Sequence, residues 1–208
     1  MTDRTMALPS PTPLRTWFAR MGAVVLLFAL TGCGVNEIPR LDEEVKAQWA
    51  QVENMYQRRA DLVPNLVETV KGFAAQEREV LTEVTEARAR ATQVTLSPEM
   101  LTDPEAVQRF QQAQGQLTGA LSRLLATVER YPELRSSQNF LTLQAQLEGT
   151  ENRIAVARRD FIEAVRAFNT EYRTFPGVIW ATLLYGDLGP KETFEAREGA
   201  DQAPAVKF

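Results

Sequence analysis

Apolar residues in the first half of the chain recur at seven-residue intervals along two parallel lines. Only Arg59 and Glu77 interrupt these lines. Such spacing is typical of the seam along which α-helices pack against one another, so it predicts helix through this part of the chain. The apolar positions are Val45, Val52, Leu66, Phe73, Val80, Ala87 and Val94 on one line, and Trp49, Tyr56, Val63, Val70, Val84 and Ala91 on the other.

Two further amphipathic stretches follow the first. The second opens with Asp103 as a helix N-cap and Pro104 at the first helical position, and it ends before Pro132. The third starts near Ser136 and stops at a Pro-Gly pair. Its apolar positions seven apart are Phe140, Leu147, Ile154, Phe161, Phe168 and Phe175. Because no alternating strand pattern occurs, we predict an all-α, elongated, antiparallel up-and-down helical bundle over residues 41–196.

Pro64 decides the predicted number of helices. An interior proline costs about 3 kcal/mol and biases the preceding residue away from helical geometry. We favour a turn at residues 61–64, because a bundle of four helices then buries every apolar seam. The alternative is three helices with a kinked first helix from about residue 42 to 95, whose N-terminal half is covered by dimerisation.

The N-terminal segment has the order of an export signal. Three arginines precede an apolar run at residues 21–30, and small residues follow it. Residues 21–35 would extend only about 22 Å as a helix, against about 30 Å of hydrocarbon in a bilayer. We therefore predict a secretory signal peptide over residues 1–32 and not a membrane-spanning helix.

Leu30, Thr31, Gly32 and Cys33 resemble the lipobox of bacterial lipoproteins. In those proteins the cysteine sulfur receives a diacylglyceryl group and the preceding peptide is removed. The resemblance implies that Cys33 is the lipidation site and the first mature residue, joined to the bundle by a linker over residues 33–40. It implies a lipid-anchored protein of the bacterial cell envelope, on the periplasmic side of the outer membrane if the organism has one.

Composition restricts the chemistry that the chain can perform. The sequence contains no histidine, and its one cysteine is Cys33. Ser-His and Cys-His nucleophiles, HExxH zinc sites and thiolate metal ligands are therefore excluded from the folded part. We predict a protein that is not an enzyme and has no metal or cofactor. Its net charge is −4, and removal of residues 1–32, with three arginines and one aspartate, makes it more acidic, so nucleic acid is not an expected partner.

Polar residues beside the apolar seams are the candidate interaction residues. Arg58, Asp61, Asn65 and Glu68 are three or four residues apart, so in a helix they share one face. In the third stretch, Glu151 and Arg158 lie seven apart, partly within the seam. We interpret these residues as a buried, charge-compensated network that fixes helix register, and a recognition surface remains the alternative. The full set is Arg58, Arg59, Asp61, Asn65, Glu68, Glu151, Asn152 and Arg158.

Three motifs of the chain resemble those of the LemA family. They are Arg58-Arg59-Ala60-Asp61-Leu62-Val63-Pro64-Asn65-Leu66-Val67-Glu68-Thr69-Val70-Lys71-Gly72, Tyr131-Pro132-Glu133-Leu134 followed by Asn139-Phe140, and Thr150-Glu151-Asn152-Arg153-Ile154-Ala155-Val156-Ala157-Arg158. The chain differs from the usual family pattern at Phe73, Gln76 and Ile162. The resemblance implies a bacterial, membrane-attached helical bundle without established catalytic activity. Members of the family occur near membrane proteases and in magnetosome membranes.

The last part of the chain divides into two segments. Residues 178–185 carry no charge, and we expect them to cap the bundle end, with membrane contact through Trp180 and Tyr185 as the alternative. Residues 197–208 have no apolar period and are expected to be disordered.

These features lead to a functional prediction. We predict an envelope lipoprotein that serves as a helical scaffold or accessory protein for an unidentified membrane protein complex, with homo-oligomerisation left open. The alternative is a bundle that binds a small ligand or a peptide through the polar residues near Asn65 and Arg158.

Overall fold

The computed structural model describes residues 34–194, together with Trp17 and Met21. The lipobox, Cys33 and the tail at residues 197–208 lie outside the described residues. Within them the chain is helical and contains no strand, so the predicted all-α class is confirmed. The helices are α1 (Glu37–Phe73), α2 (Arg78–Gln93), α3 (Pro104–Val128), α4 (Pro132–Arg135), α5 (Gln138–Arg173) and α6 (Gly177–Leu184), with a 3-10 helix at Pro98–Thr102.

Two of the described helices, α3 and α5, begin at a side-chain cap. The carboxylate of Asp103 accepts hydrogen bonds from the backbone amides of Glu105 and Ala106, at 2.9 and 3.3 Å. The hydroxyl of Ser137 accepts one from the amide of Phe140 at the start of α5. Each cap satisfies amides that the first helical turn leaves without a partner. The predicted N-cap of α3 is confirmed.

The predicted turn at residues 61–64 is absent, because α1 continues through Pro64. A proline inside a helix leaves the carbonyl four residues earlier without its amide donor, and here that carbonyl belongs to Ala60. The guanidinium of Arg88 on α2 takes the place of the missing amide: its Nε donates to the Ala60 oxygen at 2.7 Å. The helix tolerates Pro64 because a neighbouring helix supplies the lost hydrogen bond.

The chain reverses instead at residues 74–77. The amide of Ala74 still donates to the Val70 carbonyl at 2.8 Å, after which the helix ends. Glu77 accepts a hydrogen bond from the Tyr131 hydroxyl at 2.7 Å and pairs with Arg130 at 3.1 Å. The alternative of one helix extending to about residue 95 is therefore also wrong. Glu77 breaks the apolar seam because it belongs to the turn.

The core consists of two apolar clusters stacked along the bundle. The Trp49 cluster combines the N-terminal half of α1 with the later part of α5 and the start of α3. The Leu117 cluster combines the C-terminal part of α1 with α2, the later part of α3 and the start of α5. The N-terminal half of α1 thus packs on the C-terminal half of α5, and the C-terminal half of α1 packs on the start of α5, so the two helices run antiparallel. The predicted apolar seam positions are buried apart from four: Phe73 and Phe175 are 47% and 80% exposed, and Val80 and Val94 are partly buried.

The short helix α6 closes the end of the bundle at which α1 begins. Ala181 is buried in the Trp49 cluster, and Trp180 packs against that cluster. α1 starts at Glu37, inside the stretch 33–40 that the sequence assigns to a linker. Within the described residues, no helix combines the length and the apolar character that a membrane span requires.

Candidate functional site

A buried arginine lies between the two apolar clusters. Arg59 on α1 is 1% exposed, and its guanidinium contacts two other long helices. One terminal nitrogen donates to Glu151 Oε1 on α5 and to Thr118 Oγ1 on α3, both at 3.0 Å. The other donates to Gln114 Oε1 on α3 at 2.6 Å. We call these four residues the Arg59 layer.

The Arg59 layer also reaches the remaining long helix. The side-chain amide of Gln114 donates to the carbonyl oxygen of Ala91 on α2 at 3.1 Å. The layer therefore joins α1, α2, α3 and α5 through directional bonds at one level of the bundle. Apolar packing alone has no such directionality.

Electrostatics explain why an arginine is tolerated at this position. The Arg59 side chain is 2% exposed, whereas the carboxylate side chain of Glu151 is 38% exposed, so the ion pair joins a buried cation to a hydrated anion. The Arg59 guanidinium also lies 5.0 Å from the centre of the Tyr56 ring. Burial raises the pKa of the Tyr56 hydroxyl, which favours its neutral form at physiological pH.

The position of the layer gives it a structural consequence. A shift of one helix by a turn, about 5.4 Å, would place the Arg59 guanidinium among apolar side chains without its acceptors. An unpaired buried charge costs about 3 to 5 kcal/mol. The layer therefore penalises other registers of α1 against α3 and α5.

The predicted polar stripe on α1 faces solvent. Arg58, Asp61, Asn65 and Glu68 are exposed, and Asn152 on α5 is exposed as well. The contacts of the two acids are local: Asp61 accepts a hydrogen bond from Gln57 at 2.8 Å, and Glu68 pairs with Lys71 at 3.4 Å. Of the eight predicted residues, the layer brings together only Arg59 and Glu151.

Arg158 occupies a different environment from the one that its spacing predicts. Its guanidinium lies 4.4 Å from the centre of the Phe194 ring, at the level of the Trp49 cluster. Glu151, the expected partner, instead pairs with Arg59. Asn65 lies between Val63 and Leu66 of the Leu117 cluster. The structure thus places Asn65 and Arg158 at different levels of the bundle.

A second buried ion cluster joins α1 to the last described residues. The Asp42 carboxylate, 3% exposed, lies 3.1 Å from Lys191 Nζ and 2.8 Å from Lys46 Nζ. Burial by itself raises the pKa of Asp42, but the hydrogen bonds from Lys46 and Lys191 outweigh it and hold that pKa below its usual value. Asn169 fixes Lys191 by exchanging two hydrogen bonds of 2.8 Å with its backbone.

Four of these residues are not predicted from the sequence as members of a site, although the sequence carries a signal for two of them. Gln114 interrupts the seam of α3 between Phe110 and Leu117, and Asp42 occupies the heptad position that precedes Trp49. A polar residue at a seam position is the signal of a buried polar contact. Thr118 and Lys191 have no comparable local signal, because only the tertiary fold brings them to their partners.

Shallow depressions lie on the surface near the Arg59 layer. One of about 100 Å³ is lined in part by Tyr56, Ala91 and Gln114. Another, of about 500 Å³, lies between Arg58 and Arg153 on the outer face of α1 and α5. Across the described part of the chain, no group of three or more His, Cys, Asp or Glu side chains is placed to hold a metal ion.

Comparison with known proteins identifies relatives over most of the chain. Two magnetosome proteins of Paramagnetospirillum magneticum, MamQ 1 and MamQ 2, are each 26% identical to the chain in an alignment of length 179 that covers 78% of this chain and 65% of theirs. Protein LemA of Metamycoplasma hominis is 21% identical over 182 residues, 83% of this chain and 76% of that protein. The chain thus spans slightly less than two thirds of the MamQ proteins. The LemA family model matches residues 48–208, and the chain belongs to the LemA family.

Proposed function

We propose that the chain is an acylated lipoprotein of the bacterial cell envelope that acts as a non-enzymatic helical accessory protein for a membrane protein complex. The observation that carries the proposal is the position of the lipobox-like motif, whose Cys33 lies four residues before the start of α1. With α1 beginning at Glu37, an anchor on Cys33 would hold the bundle close to the membrane.

The composition of the chain supports an accessory role over catalysis. The sequence has no histidine, and its one cysteine is the proposed acylation site. The buried charges of the Arg59 layer and of the Asp42 cluster are paired within the bundle. Such internal pairing supports a structural use of these ions, in which the rigid bundle presents its exposed helix faces to a partner.

The second candidate function, binding of a small ligand or peptide near Asn65 and Arg158, requires these residues to line one pocket. Their separation into different levels of the bundle weighs against it. The MamQ relatives are named magnetosome proteins. Extended to this chain, that name favours a role at a bacterial membrane.

Photo-crosslinking in intact cells tests the accessory role. We expect the wild-type protein to crosslink to a discrete set of integral membrane proteins, and Cys33→Ala to lose these products because it carries no acyl anchor. The matched control is Glu79→Ala, an exposed change on α2 that keeps Cys33. Crosslinks that are identical in wild type and Cys33→Ala would contradict a role that depends on anchoring.

A further inference from the structure

Exposed apolar side chains are concentrated at α6. Of the twelve large hydrophobic residues that are exposed in the described part of the chain, five lie within ten residues of one another, and we call these five the α6 surface. The members and their exposures are Phe175 80%, Val178 39%, Ile179 43%, Leu183 69% and Leu184 59%. Because the protein leaves this group open to solvent, it is a candidate contact surface.

The α6 surface is presented by a firmly packed helix. A Cβ atom at Gly177 would overlap the backbone carbonyl oxygen of Glu171, so the start of α6 lies directly on the end of α5. On its inner side, Ala181 is 1% exposed within the Trp49 cluster. The exposed Thr182 donates its hydroxyl hydrogen to the Val178 carbonyl at 2.8 Å, which lowers the cost of placing it in an apolar medium.

The α6 surface lies beside the point where the described chain begins. A Cβ atom at Gly34 would be 3.8 Å from Pro176 Cγ and 3.8 Å from Trp180 Nε1. The residue before Gly34 is Cys33, and the apolar run at residues 21–30 precedes it. A lipid attached to Cys33 would therefore lie next to α6.

We propose that the α6 surface inserts into the interfacial region of the bilayer as a second membrane contact beside Cys33. The proposal rests on the proposed membrane anchoring of the chain. The diacylglyceryl group proposed on Cys33 carries two acyl chains and can anchor the chain by itself, so the α6 surface would act on how the bundle sits at the membrane rather than on whether it binds. Trp180 on the same helix is half-buried against the Trp49 cluster, so it serves as a reporter beside the α6 surface and not as part of it. A docked α6 would also fix the orientation of the bundle relative to the membrane.

The charges around α6 identify the type of lipid contact. No charged residue occurs within residues 174–186, and the flanking residues Arg173 and Asp187 have opposite signs. The surface therefore has no basic excess that would select anionic headgroups. The contact is apolar, so it should form on zwitterionic phosphatidylcholine and respond little to salt.

Quenching of tryptophan fluorescence by brominated lipids tests the docking directly. In a Trp17→Phe background the chain keeps two tryptophans, Trp180 beside the α6 surface and Trp49, which is fully buried in the core. The full-length protein is reconstituted into phosphatidylcholine vesicles that carry bromine on their acyl chains. We expect loss of the Trp180 emission and an unchanged Trp49 emission, which also reports that the bundle is folded.

A matched pair of variants assigns the quenching to α6. Leu183→Glu places a charge in the α6 surface and should abolish the quenching while the protein stays in the vesicle fraction. Leu141→Glu is the control, since Leu141 is 44% exposed near the start of α5. It should be quenched like the Trp17→Phe protein.

The outcomes separate this proposal from the anchoring on which it rests. Vesicle-bound, acylated protein with unquenched Trp180 would overturn docking and leave anchoring intact, and crosslinks between copies through Leu183 would then show that a second protomer covers the surface. Quenched Trp180 in a protein without an acyl group would support docking and contradict lipidation. Protein that stays in the aqueous fraction without an acyl group would overturn both.

Discussion

Arg88 and Ala60 are joined by a hydrogen bond that explains how α1 passes through a proline. Arg88 Nε lies 2.7 Å from the Ala60 carbonyl oxygen, which Pro64 leaves without a backbone donor. The side chain of α2 thus completes the hydrogen bonding of α1. This contact also attaches α2 to α1 near the Arg59 layer.

The Arg88–Ala60 contact predicts coupling between positions 88 and 64. Arg88→Ala should destabilise the protein by about 1 to 2 kcal/mol, because a carbonyl loses a charged donor. In a Pro64→Ala background the restored amide satisfies that carbonyl, so the same change should cost clearly less. A double-mutant cycle of urea unfolding measures the difference. Equal costs in both backgrounds would show that Arg88 acts in another way.

The two residues also illustrate what the sequence predicts and what it does not. The heptad positions predict the buried seam, and Asp103 before Pro104 predicts the cap of α3, because these features are local. The effect of Pro64 depends on a side chain 24 positions along the chain, and no local rule reveals that Arg88 reaches Ala60. Local rules therefore predict a turn at Pro64, whereas the tertiary contact from Arg88 keeps the helix continuous.

Within the candidate site, the same distinction separates Arg59 from Arg158. The sequence marks Arg59 as an interruption of the seam, and it is buried there. The pairing of Glu151 with Arg158 was inferred from their spacing of seven residues. In the structure Glu151 pairs with Arg59 instead, because the facing helix α1 brings a buried guanidinium to that carboxylate.

Removal of the buried guanidinium should have a large effect on stability. We expect Arg59→Ala to cost about 3 to 5 kcal/mol, because Gln114 and Thr118 lose their donor and a void remains. Arg58→Ala, at the exposed neighbouring position, should change stability by less than about 0.5 kcal/mol. Urea midpoints compare the two. Similar midpoints would contradict the role of the Arg59 layer.

Arg158→Ala should be milder than its sequence spacing implies. The side chain is partly exposed and lies over the Phe194 ring, a type of contact worth about 0.5 to 1 kcal/mol at exposed sites. Thermal unfolding of Arg158→Ala beside Arg59→Ala checks the order of the two effects. A larger loss for Arg158→Ala would show that Arg158 carries a charge pair in the folded protein.

The aromatic core supplies a further test of the seam. Phe161 is 1% exposed, and its ring centre lies 5.3 Å from those of Trp49 and Phe194. Phe161→Ala should therefore cost about 3 to 5 kcal/mol, whereas the exposed Glu79→Ala should cost less than about 0.5 kcal/mol. Near-equal unfolding midpoints would show that Phe161 contributes no more to the stability of the protein than an exposed residue does.

The Asp42 cluster predicts a dependence of stability on pH. The pKa of Asp42 is lowered in the folded protein, so its stabilisation is present above the ordinary value of 3.8 and is lost as the pH falls through the lowered value. Asp42→Asn should cost about 3 kcal/mol at neutral pH, and this difference from wild type should shrink in acid. Glu43→Gln, beside it and exposed, is the control. A difference that stays constant from neutral to acidic pH would contradict the assignment.

Anchoring through Cys33 is the central claim, and the intact mass of the protein purified from its native membranes tests it most directly. The account predicts a chain that begins at Cys33 and carries the added mass of a diacylglyceryl group, with or without a further acyl chain on the new amine. The Cys33→Ala protein should keep its N-terminal segment and carry no lipid. A wild-type protein with residues 1–32 still attached and no added lipid mass would contradict the claim.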